Sequence, residues 1–328
     1  MKNSWLIFLV ITVLMVSMSS FAFGQEKPAE GMYFRLVTHG GDDPFWAVVQ
    51  QGMLEAAKEL GCQVDIDLAG SDLALQQKRF AEAVAQKPNG IALVINDDTA
   101  WDKPVEDALA AGVPVIGINN DDSQGPAGNK RLCYIGQSEE RAGYMIGLRL
   151  FQEAKDKGID LANAHVAMPV EVPGANYGVV RSNGIKRAGE EFGISSFEII
   201  DGGGLEMTTM EQRETSYLLA HPETTFMIGL GGIATDRLTD SLKAAGKEPG
   251  EVIAGGFDTT AATLNGLREG YITATIDQQQ FLQGYYAVYV LYLYNKYGFT
   301  PNIDTGGYLV DSIEKIDLIE NLSPLHVR

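Results

Sequence analysis

FRLVTHGGDDPFWAVVQQGMLEAAKELGCQVDIDL, spanning Phe34–Leu68, contains the repeating unit of the whole chain. Phe34–Thr38 is short, apolar and β-rich, and a polar Gly-Gly-Asp-Asp turn follows it. Pro44 then opens an amphipathic stretch, Phe45–Leu60, which Gly61 stops, and Val64–Leu68 resumes β character. Proline at the first helical position and glycine just past the last are the expected punctuation of a helix. Strand, long helix and strand make one β-α-β unit, which satisfies its backbone in a parallel sheet covered by helices.

The rhythm continues in both directions. Leu75–Ala85 and Trp101–Ala111 read as helices, and Gly90–Asn96, Val113–Asn119 and Leu132–Gly136 as strands. A second series places helices at Arg141–Lys157, Tyr177–Phe192, Met210–Ala220, Thr235–Ala245 and Thr260–Glu269. Its strands are Ala164–Met168, Phe197–Ile200, Thr225–Leu230, Val252–Phe257 and Ile272–Ile276. The aromatic helix Phe281–Tyr297 and the strand Gly307–Val310 close the pattern. Two sets of about five strands without a long linker predict an α/β protein of two doubly wound parallel-sheet lobes. The tyrosines at 285, 286, 289, 292 and 294 lie at helical spacing and read as packing contacts rather than a ligand cage.

Upstream, Lys2, an uncharged run from Trp5 to Val16 and Ala22-Phe23-Gly24 have the layout of a secretory signal peptide over residues 1–24. The run is shorter than the roughly 20 apolar residues of a membrane span. The expected compartment is the periplasm. Hydrophobic residues make up 45% and charged residues 21% of the chain, which places it among globular proteins. A formal net charge of -18 repels phosphate backbones and anionic lipid, so nucleic-acid partners are not expected.

Cys62 and Cys133 head strands expected at the two edges of one sheet. Several inter-strand spacings of about 4.8 Å exceed the roughly 7 Å Cα separation that a disulfide bridges, so no bond between them is expected. The four histidines show no ligand spacing, and neither a metal nor a cofactor is expected.

In doubly wound sheets, ligands bind beyond the carboxyl ends of the strands. The residues just past each strand are His39, Asp43, Phe45 and Trp46; Asn96; Asn119 and Asn120; Arg181; Glu206; Gly231; Phe257 and Asp258; and Gln278. Amides, carboxylates and one guanidinium satisfy hydroxyl groups, while flat rings cover C–H faces, so the set suits a neutral polyhydroxylated ligand.

The runs THGGDDPFW (Thr38–Trp46), PVIGINNDD (Pro114–Asp122), RSNG (Arg181–Gly184), GGFDTT (Gly255–Thr260) and ATIDQ (Ala274–Gln278) occur in order along the chain. Together they resemble the periplasmic sugar-binding proteins of ABC importers, in the branch of the ribose- and galactose/glucose-binding proteins. The resemblance covers essentially the whole chain after the leader. It implies residues 31–136 with 279–306 as one lobe, 137–278 with 307–328 as the other, and a three-segment hinge that closes on sugar.

The resemblance also assigns roles. Asp43 and Asn96 bind hydroxyls from the first lobe, and Phe45 and Trp46 wall the ring. Arg181 bridges ring oxygen and hydroxyls, Phe257 supplies the opposing surface, Asp258 is a charged acceptor and Gln278 a hinge-side amide. The implied partners are a small sugar or polyol and an ABC permease, with a chemoreceptor or sensor kinase as the alternative recipient, and the protein acts as a monomer.

Asn119-Asn120 departs from the Asp-Arg pair of the ribose-type site, Gly231 leaves space where an Asn is frequent, and Asp43 leans toward the hexose arrangement. A hexose, amino sugar, polyol or glycoside is therefore expected in place of ribose. His39 and Glu206 are the outlying candidates. Two enzyme readings compete. Gly229-Leu230-Gly231-Gly232-Ile233-Ala234 matches Gly-x-Gly-x-x-Ala, as in a dinucleotide-dependent oxidoreductase, and Asp43 facing Asp258 would suit a hydrolase.

Overall fold

The structure is a computed structural model, and it describes residues 27–41, 44–70, 72–325 and 327–328. The leader and Asp43 lie outside the described residues. Among those described, no helix is long and apolar enough to cross a membrane.

The first sheet contains β1 (Tyr33–Thr38), β2 (Gln63–Leu68), β3 (Gly90–Leu93), β4 (Val115–Asn119), β5 (Tyr134–Gly136) and β11 (Ile303–Asp304). The second contains β6 (His165–Val170), β7 (Ser196–Asp201), β8 (Thr224–Ile228), β9 (Ile253–Phe257), β10 (Ile272–Asp277) and β12 (Tyr308–Val310). Their orders are β11-β5-β4-β3-β1-β2 and β12-β10-β9-β8-β6-β7, the same order of strands twice. Every pair is parallel except β10 with β12.

The central strands β3, β4, β8 and β9 are almost wholly buried, as a sheet covered on both faces requires. The edge strands β2 and β7 keep exposed positions. Strand β11 corrects one expectation: it lies outside β5, so the strand after Cys133 is not an edge. Cys62 and Cys133 are free thiols, with β1, β3 and β4 between their strands.

The chain crosses between the sheets after β5, after β10 and between β11 and β12. These crossovers are tied to one another: Ser138 N donates to Asp304 Oδ1 at 3.2 Å, Arg141 Nη1 to Asp304 Oδ2 at 2.5 Å and Gln279 Nε2 to Thr305 O at 2.6 Å.

In each lobe, the helix after the first strand packs on the helix that arrives from the other sheet's fifth strand. In the first lobe these are α1 (Pro44–Leu60) and α9 (Gln280–Tyr297); in the second, α5 (Asn176–Glu191) and α4 (Glu139–Asp156). Both crossings are glycine on backbone. A Cβ on Gly52 or Gly284 would enter the Phe281 or Val49 carbonyl, and one on Gly143 or Gly184 the Arg181 or Glu140 carbonyl. The second crossing fixes where Arg181 sits. Gly143→Ala should push α5 off its seat and destabilise the protein by about 1–3 kcal/mol, read as a drop in the denaturation midpoint.

Candidate functional site

The carboxyl ends of the two sheets face each other. Asn176, at the start of α5, donates to Asp121 O at 2.8 Å and to Asp98 Oδ1 at 3.3 Å, joining the loops past β6, β3 and β4. The strand order reverses between β1 and β3 in one sheet and between β6 and β8 in the other, the places where such sheets hold ligands.

On the second lobe, four sequence candidates come together. The Arg181 guanidinium lies 4.1 Å from the centre of the Phe257 ring and 5.1 Å from that of Tyr177, in cation–π range. Its residue is 4% exposed. Arg181 Nε donates to Glu139 Oε2 at 2.5 Å, Nη2 to Glu139 Oε1 at 3.2 Å and Nη1 to Leu230 O at 2.8 Å. A guanidinium carries five N–H groups, so each terminal nitrogen keeps one for a ligand. Glu139 is in turn bonded by Gln137 Nε2 at 2.6 Å, which links Arg181 to the first crossover.

Asp258 follows β9 with φ +71, in the left-handed region, and Gln278 Nε2 donates to its Oδ1 at 2.6 Å. Burial pushes its carboxyl up to about 6, and Arg181 and Gln278 offset only part of that, with Glu171 and Glu139 adding to it. At the corresponding end of β4, Asn119 also takes positive φ, +65. Each of these two residues presents its backbone carbonyl to a hydroxyl of the neighbouring strand, Tyr134 at 2.5 Å and Thr275 at 2.8 Å.

On the first lobe, Asn96 Oδ1 accepts from Trp101 Nε1 at 3.0 Å, which orients its amide and leaves the NH2 for hydroxyl acceptors. Phe45 is half-buried, with its ring 5.1 Å from Trp46. Trp46 is 5% exposed, packs over Gly40 and joins the hydrophobic core, so it backs the wall that Phe45 presents. His39 meets Trp46 edge-on at 5.7 Å, and burial pushes its imidazole down to about 4, which leaves it neutral. Asn119 Nδ2 donates to Gln283 Oε1 at 3.3 Å within its own lobe, and Asn120 is half-buried beside it. Glu206 stands apart, exposed at the start of α6 (Met207–Ala220) beyond the edge strand β7.

Glu171 is the important residue that sequence reading missed. It follows β6 at the reversal point and is 3% exposed. Its Oε1 accepts from Ile233 N at 2.9 Å and Ala234 N at 3.1 Å, at the start of α7 (Gly232–Ala244), and its Oε2 accepts from Tyr177 Oη at 2.8 Å. A Cβ on Gly231 would lie inside this carboxylate, and one on Gly232 would press on Asp258 Oδ2. The expected open space at Gly231 is therefore filled: the glycines exist because two carboxylates approach the backbone there. Glu171 also takes the helix-terminal N–H groups that a dinucleotide phosphate would need, so the Gly-x-Gly-x-x-Ala run is no phosphate cradle. Glu171 directly follows β6, and no residue directly past that strand was among the sequence candidates.

A cavity of about 410 Å³ opens between the lobes beside the crossovers, walled by Asn120, Asp121, Arg131, Glu139, Asn176 and Tyr177 among others. It adjoins the Arg181 cluster through Glu139. Ser196 Oγ and His165 Nδ1 do lie 2.7 Å apart, but at the opposite, amino ends of β7 and β6, away from the facing ends of the sheets. What the cleft offers is a stacked guanidinium with two spare N–H groups, a buried carboxylate, oriented amides and aromatic walls. That is equipment for holding a hydroxylated ring.

The sequence pattern of the periplasmic binding protein domain family spans residues 34–297. A xylose/arabinose-binding protein of Sulfolobus acidocaldarius is 30% identical over 306 residues, covering 88% of this chain and 73% of its own. A periplasmic sugar-binding protein of an ABC sugar transporter from Legionella pneumophila superposes with a TM-score of 0.73 at 29% identity, covering 84% of this chain and 99% of its own. A carbohydrate transporter from Acidothermus cellulolyticus, solved with myo-inositol, reaches a TM-score of 0.77 at 24% identity, covering 90% and 99% of the two chains, and so shares the fold.

Proposed function

Because this chain belongs to the periplasmic binding protein family, we propose that it captures an uncharged sugar or polyol between its two lobes and delivers it to an ABC importer. The observation that carries the reading is the cluster of Arg181 on Phe257 beside the Asp258–Gln278 pair, with Phe45 and the oriented Asn96 amide past strands of the other lobe. Relatives named for xylose, arabinose and ribose, and neighbours solved with myo-inositol and D-arabinose, support a hydroxylated ring as ligand. The residues of the site are those two groups together with Asn119, Asn120 and Asp43.

Ligand that touches both lobes at once favours the closed arrangement over the open one, with the three crossovers as the hinge. The leader sends the chain to the periplasm, where a membrane permease receives the loaded form. A thermal-shift screen of aldoses, ketoses, polyols and amino sugars tests the reading. At least one compound at a hundred times its Kd should stabilise the protein by about 2.7 kcal/mol. A flat response across all of them sinks the proposal.

A further inference from the structure

We propose that Glu171 sets the charge selectivity of the cleft: it holds the amino end of α7 as a built-in anion and so excludes sugars bearing a carboxylate. The inference rests on the carbohydrate reading above and adds the residue responsible for rejecting acids.

A helix amino terminus aimed at a cleft ordinarily attracts anions, through its free N–H groups and its dipole. Here Ile233 N and Ala234 N are already bonded to Glu171 Oε1, and Tyr177 Oη holds Oε2. The missing side chain at Gly231 lets the carboxylate sit against the backbone, so its place is built into the chain. The neighbouring charges reinforce the effect. Arg181 is paired with Glu139, so its cation is compensated within the protein, while Asp258 adds a second carboxylate at Gly232. A ligand carboxylate entering this lobe therefore meets Glu171 and Asp258, and the one cation beside them, Arg181, has its charge balanced by Glu139 even though two of its N–H groups remain open to a ligand. Two like charges about 6 Å apart repel strongly enough at an effective dielectric of about 20 to lower affinity by about a hundredfold.

The test compares three forms of each aldohexose by calorimetry on the native protein at pH 7.5: the neutral sugar, its uronic acid and its uronamide. The uronamide matches the acid in size without the charge. Expected is that the uronamide binds within about tenfold of the sugar, and the acid at least about a hundredfold more weakly. Acid bound within about threefold of its sugar overturns the proposal, and so does a uronamide rejected as strongly as the acid, because size would then explain the loss.

Glu171→Gln keeps the shape and an acceptor for the two N–H groups. In that variant the acid should gain about tenfold while the neutral sugar stays within about threefold. An unchanged gap in folded Glu171→Gln assigns the rejection elsewhere and overturns the proposal. If that variant does not fold, the comparison on the native protein still decides against it or for it. If no neutral sugar binds at all, the carbohydrate reading itself falls, an outcome distinct from a sugar and its acid binding alike.

Discussion

Asp258→Asn should give a protein that is more stable without sugar and unable to hold it well. The carboxyl is raised to about 6 by burial, against about 3.9 in an unfolded chain. The sign follows from linkage. A carboxyl that binds its proton more tightly when folded favours the native state at low pH, and this advantage is lost as pH rises from about 4 through 6. Above that window the ionised group opposes folding by roughly 3 kcal/mol at most, less in proportion to the water that reaches it.

Asparagine removes the charge, keeps an acceptor for Gln278 Nε2 and tolerates the left-handed backbone at this position. The melting temperature of the unliganded variant should therefore rise by a few degrees at pH 7.5 and match the native protein near pH 4. Sugar hydroxyls that donate to the carboxylate are lost with it, so affinity should fall more than about tenfold. In the native protein, affinity should climb between pH 5 and 7 and then level, with proton release on binding below pH 6, measured by calorimetry in buffers of different ionisation enthalpy. A variant that binds as well as the native protein removes Asp258 from the site.

Arg181→Ala should do damage in two separable ways. Binding weakens by more than about tenfold, because the guanidinium carries the cleft's charged donors. Stability also falls, by about 3–5 kcal/mol, because a side-chain pair only 5% and 13% exposed loses one partner and leaves Glu139 buried and ionised. Adding Glu139→Gln to Arg181→Ala should restore much of the stability and none of the binding. Arg181→Lys keeps the charge but loses the flat contact with Phe257 and the two-pronged grip on Glu139, so it should also bind poorly. Chemical denaturation and calorimetry on the three variants separate the two effects. If the double variant regains binding, the guanidinium is structural and does not touch ligand.

The fold was legible because its alternation is carried by local signals: Pro44 before and Gly61 after α1, and wholly apolar runs such as that around Ile91 in β3. Among the strands and α-helices described, two escaped. Strand β11 is two residues long and exists by pairing with β5, and α10 (Ile313–Leu322) is a short helix past the last expected strand, capped by Ser312 Oγ. At the site, Asp258 and Gln278 directly follow strands and Phe257 ends one, while Arg181, inside α5, was marked by the RSNG run; the structure joins the four. Glu139 and Glu171 were not read, because each serves a protein partner far along the chain: Arg181 is 42 residues from Glu139, and Ile233 is 62 from Glu171. Trp46 looked like a ligand wall because sequence cannot tell an aromatic facing a cleft from one facing the core one position away.

The glycine seams between α1 and α9 and between α4 and α5 carry a practical consequence. With main chain seated directly on main chain at these crossings, the paired helices have little room to slide past one another, so each half should travel as a solid arm. All bending then falls on a few residues near Gln137, Gln279 and Thr305. Dyes attached to surface positions such as Lys78 on one arm and Lys243 on the other would report sugar capture as a single change in separation, which makes the protein a ready frame for an optical sensor.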